Sequence, residues 1–396
     1  MMVHLENDDA MGVSRKKLLR RVKRVVVKVG SAVLAGRDGL SRKVLCDLSD
    51  DIFGLWQRGI EVVLVSSGAI ASGMKKIGLA RRPDSISQKQ AVAAVGQCSL
   101  MLAWEKAFGR HGQKVAQILI TRDDFNHRGR YLNARNTIFT LLSWRIIPII
   151  NENDTVVVEE IKFGDNDSLS AMVTDLLDAD VLVMLTNEDG LYDKDPRTNE
   201  DAKLIRVVGR VSRETLKYAA SRPGNLGTGG MESKIRAGQK ASLGGVPVVI
   251  ANGSRPGVLG EIFKGKDIGT VFLPQDVNLC SRKRWIAFTK APKGELVVDR
   301  GAEKALLGGG KSLLPSGIRE VKGHFGHGDS VVVVNEWSEE LGVGMVNYDS
   351  GDIRKIMGLK TTEIESVLGF RHDDEVIHRD NLVITRTLEE GEAVCL

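Results

Sequence analysis

Residues 148–171 read PIINENDTVVVEEIKFGDNDSLSA. A hydrophobic strand at 146–150 runs directly into Asn151-Glu152-Asn153-Asp154, a β-rich excursion follows, and Gly164-Asp165-Asn166-Asp167 opens a helix. Two dense polar clusters thus stand beside elements that must be buried. Two readings are open for them: a pair of Asn/Asp-rich turns, or a polar binding floor at the end of a sheet.

Outward from this stretch, strands and helices alternate. Strands are expected at 21–29, 60–65, 115–120, 146–150, 181–186 and 246–250, with a side strand or hairpin arm at 156–161. Helices fall between them at 41–58, 85–108, 133–143, 168–178 and 231–243, and a shorter one follows Ser66-Ser67-Gly68-Ala69. Ser41 can cap the first of these, and 85–108 is one long helix or a bent pair. Strands mostly apolar on both faces, alternating with helices, predict an α/β fold: a three-layer αβα sandwich with a mainly parallel sheet. Ligands of such sheets gather beyond the C-terminal strand ends. The polar clusters after Val29, Val65, Ile150 and Thr186 all fall on that edge.

The character changes near Pro274. Short strands at 285–288, 295–298, 330–335 and 343–346, separated by Gly-rich turns, predict a small β-rich domain. The expected division is an N-terminal extension at 1–20, the α/β domain at 21–273, a linker at 274–283, the β-rich domain at 284–375 and a tail at 376–396. The tail is a surface strand or a frayed end. SRKKLLRRVKR, at 14–24, reads as a solvated lead-in whose basic side chains line a free face.

Composition narrows the function classes. Of 396 residues, 42% are apolar and 27% charged, enough for a full core. Aromatics at 5% argue against a base-stacking surface, and the net charge of +5 suits anionic small molecules without demanding nucleic acid. Cys46, Cys98, Cys280 and Cys395 have no metal-type or CxxC spacing, which favours free thiols in a reducing, cytoplasmic setting. No run is long enough to span a membrane, and the acidic start lacks the order of a secretory signal.

Several stretches carry chemistry. Lys28 lies in an apolar strand just before Gly30-Ser31-Ala32. It either snorkels to the edge or points into a polar site, where an ammonium beside small residues and backbone N–H groups suits a phosphate. Ser66-Ser67-Gly68-Ala69 serves equally as a helix cap or as an anion-binding turn. The loop Gly227-Thr228-Gly229-Gly230-Met231-Glu232-Ser233-Lys234 leads into a helix and sets Lys234 in its first turn. A cation there opposes the helix dipole and needs compensation, which a bound polyphosphate would supply. Gly308-Gly309-Gly310-Lys311-Ser312 imitates the end of a phosphate loop but has Ala305 where that motif needs glycine, so it reads as a turn. No HExxH, CxxC or dinucleotide fingerprint is present, and a metal pair at His324 and His327 is not favoured. Separated lysines, glycine-rich loops and Asn/Asp clusters without a catalytic histidine point to phosphoryl transfer with Mg²⁺.

The segments VVVKVGSAV, VLVSSGAIASG, LNARNT, IPIINENDTV, FGDNDSLSA, GLYDKDPR, GTGGMESK and SRKRWI, in this order, resemble the glutamate 5-kinases. These are amino acid kinases joined to a C-terminal PUA domain. The resemblance covers about 21–380. It implies ATP-dependent phosphorylation of the side-chain carboxylate of L-glutamate to L-glutamyl 5-phosphate, the first step of proline biosynthesis. By the same resemblance, Lys28 and Lys234 neutralise the phosphoryl group in flight, and Asp167 holds both lysines. Ser67, Asn151, Asp154 and Asn166 bind glutamate. The nucleotide contacts are Lys28, Gly30, Thr186, Asn187, Thr228, Gly229, Gly230, Met231, Glu232, Ser233 and Lys234. Mg²⁺ is held through ATP phosphates, with no direct protein ligand. Asn187 stands where the family commonly has aspartate, and Ser31-Ala32 replaces its more usual Thr-Ser. The resemblance further implies a homo-oligomer (tetramer or dimer), proline as feedback inhibitor and coupling to glutamyl phosphate reductase. RNA binding is not implied for the PUA domain in this setting. The rival readings are a related kinase for another carboxylate or carbamate, and an RNA-binding protein acting through 284–375.

Overall fold

The computed structural model describes residues 14–36, 39–156, 166–211, 215, 230–275 and 292–384. The chain divides into two compact units, Met1–Gln275 and Asp276–Leu396.

In the first unit an eight-stranded sheet forms the core. Its strands in chain order are β1 (Arg24–Val29), β2 (Glu61–Ser66), β3 (Val115–Ile120), β4 (Ile147–Glu152), β5 (Val181–Thr186), β6 (Val207–Val208), β7 (Val248–Asn252) and β8 (Thr270–Phe272). The spatial order is β6-β8-β7-β5-β1-β2-β4-β3. Every pairing is parallel except β7 with β8. Successive strand residues point to opposite faces, yet Val25, Val26, Val27 and the whole of β5 are buried. Both sheet faces are therefore covered, as the apolar runs predict.

Five longer helices and one short helix do most of the covering: α1 (Arg42–Gln57), α2 (Ala69–Lys76), α3 (Ile86–Gly109), α4 (Arg128–Ser143), α5 (Asn166–Leu176) and α6 (Met231–Leu243). Ser41 does cap α1, its side chain accepting from Val44 N. Helix α3 is one continuous helix. It meets α2 at glycines: a Cβ on Gly96 would stand 1.8 Å from Ala69 O, and one on Gly73 would stand 1.9 Å from Val92 O.

The strand order reverses at β1. Its successor β2 lies on one side and β5 on the other, a topological switch of the kind where α/β sheets open a crevice. Lys28 is in that strand, in register with Val65 of β2 and Met184 of β5.

The lead-in segment differs from expectation. Arg15, in the turn Arg15–Leu18, is buried rather than solvated. Its guanidinium donates to Arg206 O at 2.8 Å and pairs with Asp267 at 2.7 Å. The planar fork finds carbonyls left at the β6/β8 edge, so the segment is tied to the unit.

The second unit is a five-stranded sheet with helices. Strands β9 (Gly294–Val298), β10 (Ile318–Gly323), β11 (Ser330–Val334), β12 (Glu340–Met345) and β13 (Leu382–Ile384) run in the order β10-β9-β11-β12-β13. Leu296, Val298, Leu306, Val331, Val333, Tyr348 and Ile353 are among its core. Gly308-Gly309-Gly310 is not a free turn. It ends helix α7 (Arg300–Gly309), with Gly310 at φ 51° closing the terminus in the left-handed conformation that glycine adopts without strain. The expected strand at 285–288, most of the arm at 156–161, most of the linker at 274–283 and the tail beyond 384 lie outside the described residues.

Candidate active site

The C-terminal ends of β1, β2 and β4 meet the first turns of α5 and α6, and two polar networks form there. The first is built on Asp167, in the first turn of α5, a position the helix dipole favours for a carboxylate. Lys28 Nζ pairs with Asp167 Oδ1 at 2.6 Å, and Lys234 Nζ with Oδ2 at 3.2 Å. Ser233 Oγ donates to Oδ2 at 2.6 Å. All three charged side chains are buried. The cation at the start of α6 is thus compensated by Asp167 already, before any phosphate arrives. Burial by itself would push the Asp167 carboxyl up, but the Lys28 and then the Lys234 ammonium overcome it and hold the group well below the usual carboxylate range.

The second network lies one residue away. Asn166 Nδ2 donates to Ser67 Oγ at 2.8 Å and to Asn151 Oδ1 at 3.0 Å. Asn151 Oδ1 also accepts from Glu152 N at 2.9 Å. Asn166 Oδ1 is buried and takes no hydrogen bond from the protein, an exception among buried polar atoms that calls for an explanation. Asp154 sits in the turn after β4, apart from the contacts just described. Burial, with the Glu152 carboxylate adding to it, pushes its carboxyl up to about 7.

Other expected residues serve differently. Gly30 does not offer its N–H to a ligand, because that group donates to Leu185 O at 3.1 Å. A Cβ there would stand 3.6 Å from Lys28 Nζ and 3.3 Å from Leu185 O. Thr186 is buried at the end of β5, its hydroxyl 3.3 Å from Asn187 Oδ1, and Asn187 is exposed. Met231 packs into the core, and Glu232 is engaged by Arg236 at 2.8 Å. Their backbone N–H groups stand at the start of α6 after Gly230, where a helix terminus is suited to an anion. Thr228 and Gly229 lie outside the described residues.

Two contacts escaped the sequence reading. Gln97 Oε1 accepts from Asn151 Nδ2 at 2.9 Å, and Trp104 Nε1 donates to Ser66 Oγ at 2.9 Å. Both come from α3, seven positions apart, a spacing that shares a helix face.

Among the described residues no group of three His, Cys, Asp or Glu is arranged to hold a metal ion, and no helix is long and apolar enough to cross a membrane. Asp167 has the Lys28 ammonium paired with its Oδ1, and Lys234 and Ser233 on its Oδ2.

Comparison with known proteins agrees with this chemistry. The amino acid kinase family model matches residues 23–252, and the PUA domain model matches 294–368. Glutamate 5-kinase of Geobacter sulfurreducens is 50% identical over 371 residues, 93% of this chain and 100% of that protein. Glutamate 5-kinase of Syntrophotalea carbinolica is 48% identical over 372 residues, covering 94% and 100%. That of Syntrophus aciditrophicus is 50% identical over 377 residues, covering 95% and 98%. With this identity over nearly its whole length, and with a mainly parallel α/β unit followed by a small β-rich one, the chain belongs to the glutamate 5-kinase family of amino acid kinases.

Proposed function

We propose that the chain transfers the γ-phosphoryl group of ATP to the γ-carboxylate of L-glutamate, giving L-glutamyl 5-phosphate and ADP, the first step of proline biosynthesis. The observation that carries this reading is the buried Lys28–Asp167–Lys234 cluster with the Asn166 floor beside it. The acceptor carboxylate is already ionised at neutral pH, so no general base is needed. The barrier is repulsion between two anions, and lysines rather than a histidine answer it. In this reading Lys28 and Lys234 meet the transferring oxygens, Asp167 fixes both ammoniums, and Ser67, Asn151, Asp154 and Asn166 hold glutamate.

The nucleotide lies against Gly30, Thr186, Asn187 and the loop from Thr228 to Lys234. Gly30 supplies space, and Met231 and Glu232 supply backbone N–H groups. Mg²⁺ supplies charge neutralisation on the ATP phosphates. With Asp167 occupied by lysines, the ion is held through phosphate oxygens.

Four extensions go with this reading. Residues 21–273 are the kinase domain, with 1–20 an extension, 274–283 a linker, 284–375 the PUA domain and 376–396 a tail. Proline presents the same α-carboxylate and α-nitrogen as glutamate, which fits it as a feedback inhibitor. The acyl phosphate hydrolyses in water, which favours coupling to glutamyl phosphate reductase, and a homo-oligomer (dimer or tetramer) goes with the family resemblance. Free Cys46 and Cys98 fit a reducing cytoplasm.

The RNA-binding alternative has less support. The second unit has a cavity of about 680 Å³, but its lining mixes Lys311 and Arg379 with Asp299 and Glu375, and His378 is its one ring. Stacked bases need aromatic platforms.

Incubation with ATP, Mg²⁺, glutamate and hydroxylamine should give γ-glutamyl hydroxamate, with aspartate and N-acetylglutamate as poor acceptors. Hydroxamate no higher than in a glutamate-free blank would refute the assignment.

A further inference from the structure

Helix α3 reaches the acceptor floor from behind, through a side chain that touches none of the phosphate chemistry. Resting on the kinase reading above, we infer that Gln97 is a positioning residue for glutamate binding: it fixes the amide of Asn151, and through it the amide of Asn166.

The hydrogen bonds run in one direction along three amides. Asn166 Nδ2 donates to Asn151 Oδ1, and Asn151 Nδ2 donates to Gln97 Oε1. An amide has a donor end and an acceptor end of nearly the same shape, so its orientation is set only by its partners. Flipping Asn151 would turn its NH₂ toward the Asn166 NH₂ and the Glu152 N–H, donor against donor, and its oxygen toward the Gln97 acceptor. Gln97 and the Glu152 N–H therefore select one orientation of Asn151 from opposite ends. Asn151 and Ser67 Oγ then select that of Asn166, leaving Asn166 Oδ1 as the buried acceptor without a donor. A substrate donor completes the set.

Packing explains why α3 can deliver this contact. Gly96, the preceding residue, allows α3 to touch the backbone of α2 at Ala69 O, an approach that any side chain would block. One face of the same helix then anchors two strand ends. Gln97 holds β4 at Asn151, and Trp104, fully buried, holds β2 at Ser66, next to Ser67.

Full-length Gln97→Met keeps the length of the side chain and removes its acceptor; Gln97→Glu keeps an acceptor. Losing one hydrogen bond from a preorganised site is worth about tenfold in affinity, so Q97M should raise KM for glutamate by about that factor. Its kcat and its KM for ATP should stay within about twofold, and Q97E should restore most of the loss. A glutamate KM in Q97M within twofold of wild type overturns this inference alone. A parallel rise in both KM values with a lowered Tm, unrescued by Q97E, also overturns it, since that is the pattern of a packing residue. Wild-type protein with no glutamate-dependent turnover overturns the kinase reading and this inference with it.

Discussion

Asp167 joins the two halves of the site, and its chemistry sets what substitutions will do. Lys234→Met retains the buried stem while removing one charge, and Lys28 stays on Asp167. A unit charge about 4 Å from the transferring group, at an effective dielectric near 20, is worth about 4 kcal/mol. Steady-state ADP release should therefore fall roughly a thousandfold, with helix content by circular dichroism retained. Asp154 behaves in the opposite sense. A carboxyl raised to about 7 must ionise before it can grip an ammonium. The glutamate KM should thus rise up to about tenfold per unit as pH falls below 7, and Asp154→Asn should flatten that profile while weakening binding. The stability sign follows from linkage. A folded carboxyl raised from about 4 to about 7 favours folding at low pH, and that contribution is lost as pH rises through this window. Asp154→Asn should accordingly raise Tm at pH 8 and leave it unchanged at pH 4. Asp167, held low by its lysines, favours folding above the ordinary carboxylate range and loses that contribution as pH falls below it. Lys28 was legible in the sequence because a lysine inside an apolar strand is costly without a partner. Gln97 was not, because glutamine on a half-buried helix face looks ordinary and its partner lies 54 positions away.

The elements were legible where periodicity was long and unbroken. The parallel strands β1, β2, β4 and β5 read as apolar runs, and Ser41 and Ser85 both mark helix starts, as their caps show. Short or irregular elements were hidden. Strand β8 has three residues, too few for a pattern, and β10 is buried only at Ile318 and Val321, with a register shift opposite Val297 and Val298. That bulge breaks the two-residue alternation on which strand recognition depends. Helix α7 was masked by its own glycines. Interhelical approach was equally invisible, since Gly73 and Gly96 signal weak helix propensity before they signal contact. Gly96→Ala forces a methyl to 1.8 Å from Ala69 O, so α2 and α3 must separate. A cost of about 1–3 kcal/mol is expected for such overpacking, read as a lower midpoint in urea with unchanged m-value. Because α3 carries Gln97, the same variant should also weaken glutamate binding.

For the molecule as a whole, both networks and every described residue assigned to the reaction lie in Met1–Gln275. In the sequence, βα alternation stops near Pro274. The sequence did not show that Arg15 closes onto the β6/β8 edge, since a basic run gives no hint of which member finds buried carbonyls. The central claim is that the γ-carboxylate oxygen of glutamate attacks the γ-phosphorus of ATP. Glutamate labelled with ¹⁸O in its γ-carboxylate tests it directly. In the presence of ATP, Mg²⁺ and hydroxylamine, the acyl phosphate yields hydroxamate, and the phosphate released keeps the bridging oxygen. Mass spectrometry of that phosphate should show one ¹⁸O per molecule, in step with hydroxamate formed. Unlabelled phosphate, the signature of water attacking ATP, would contradict the mechanism.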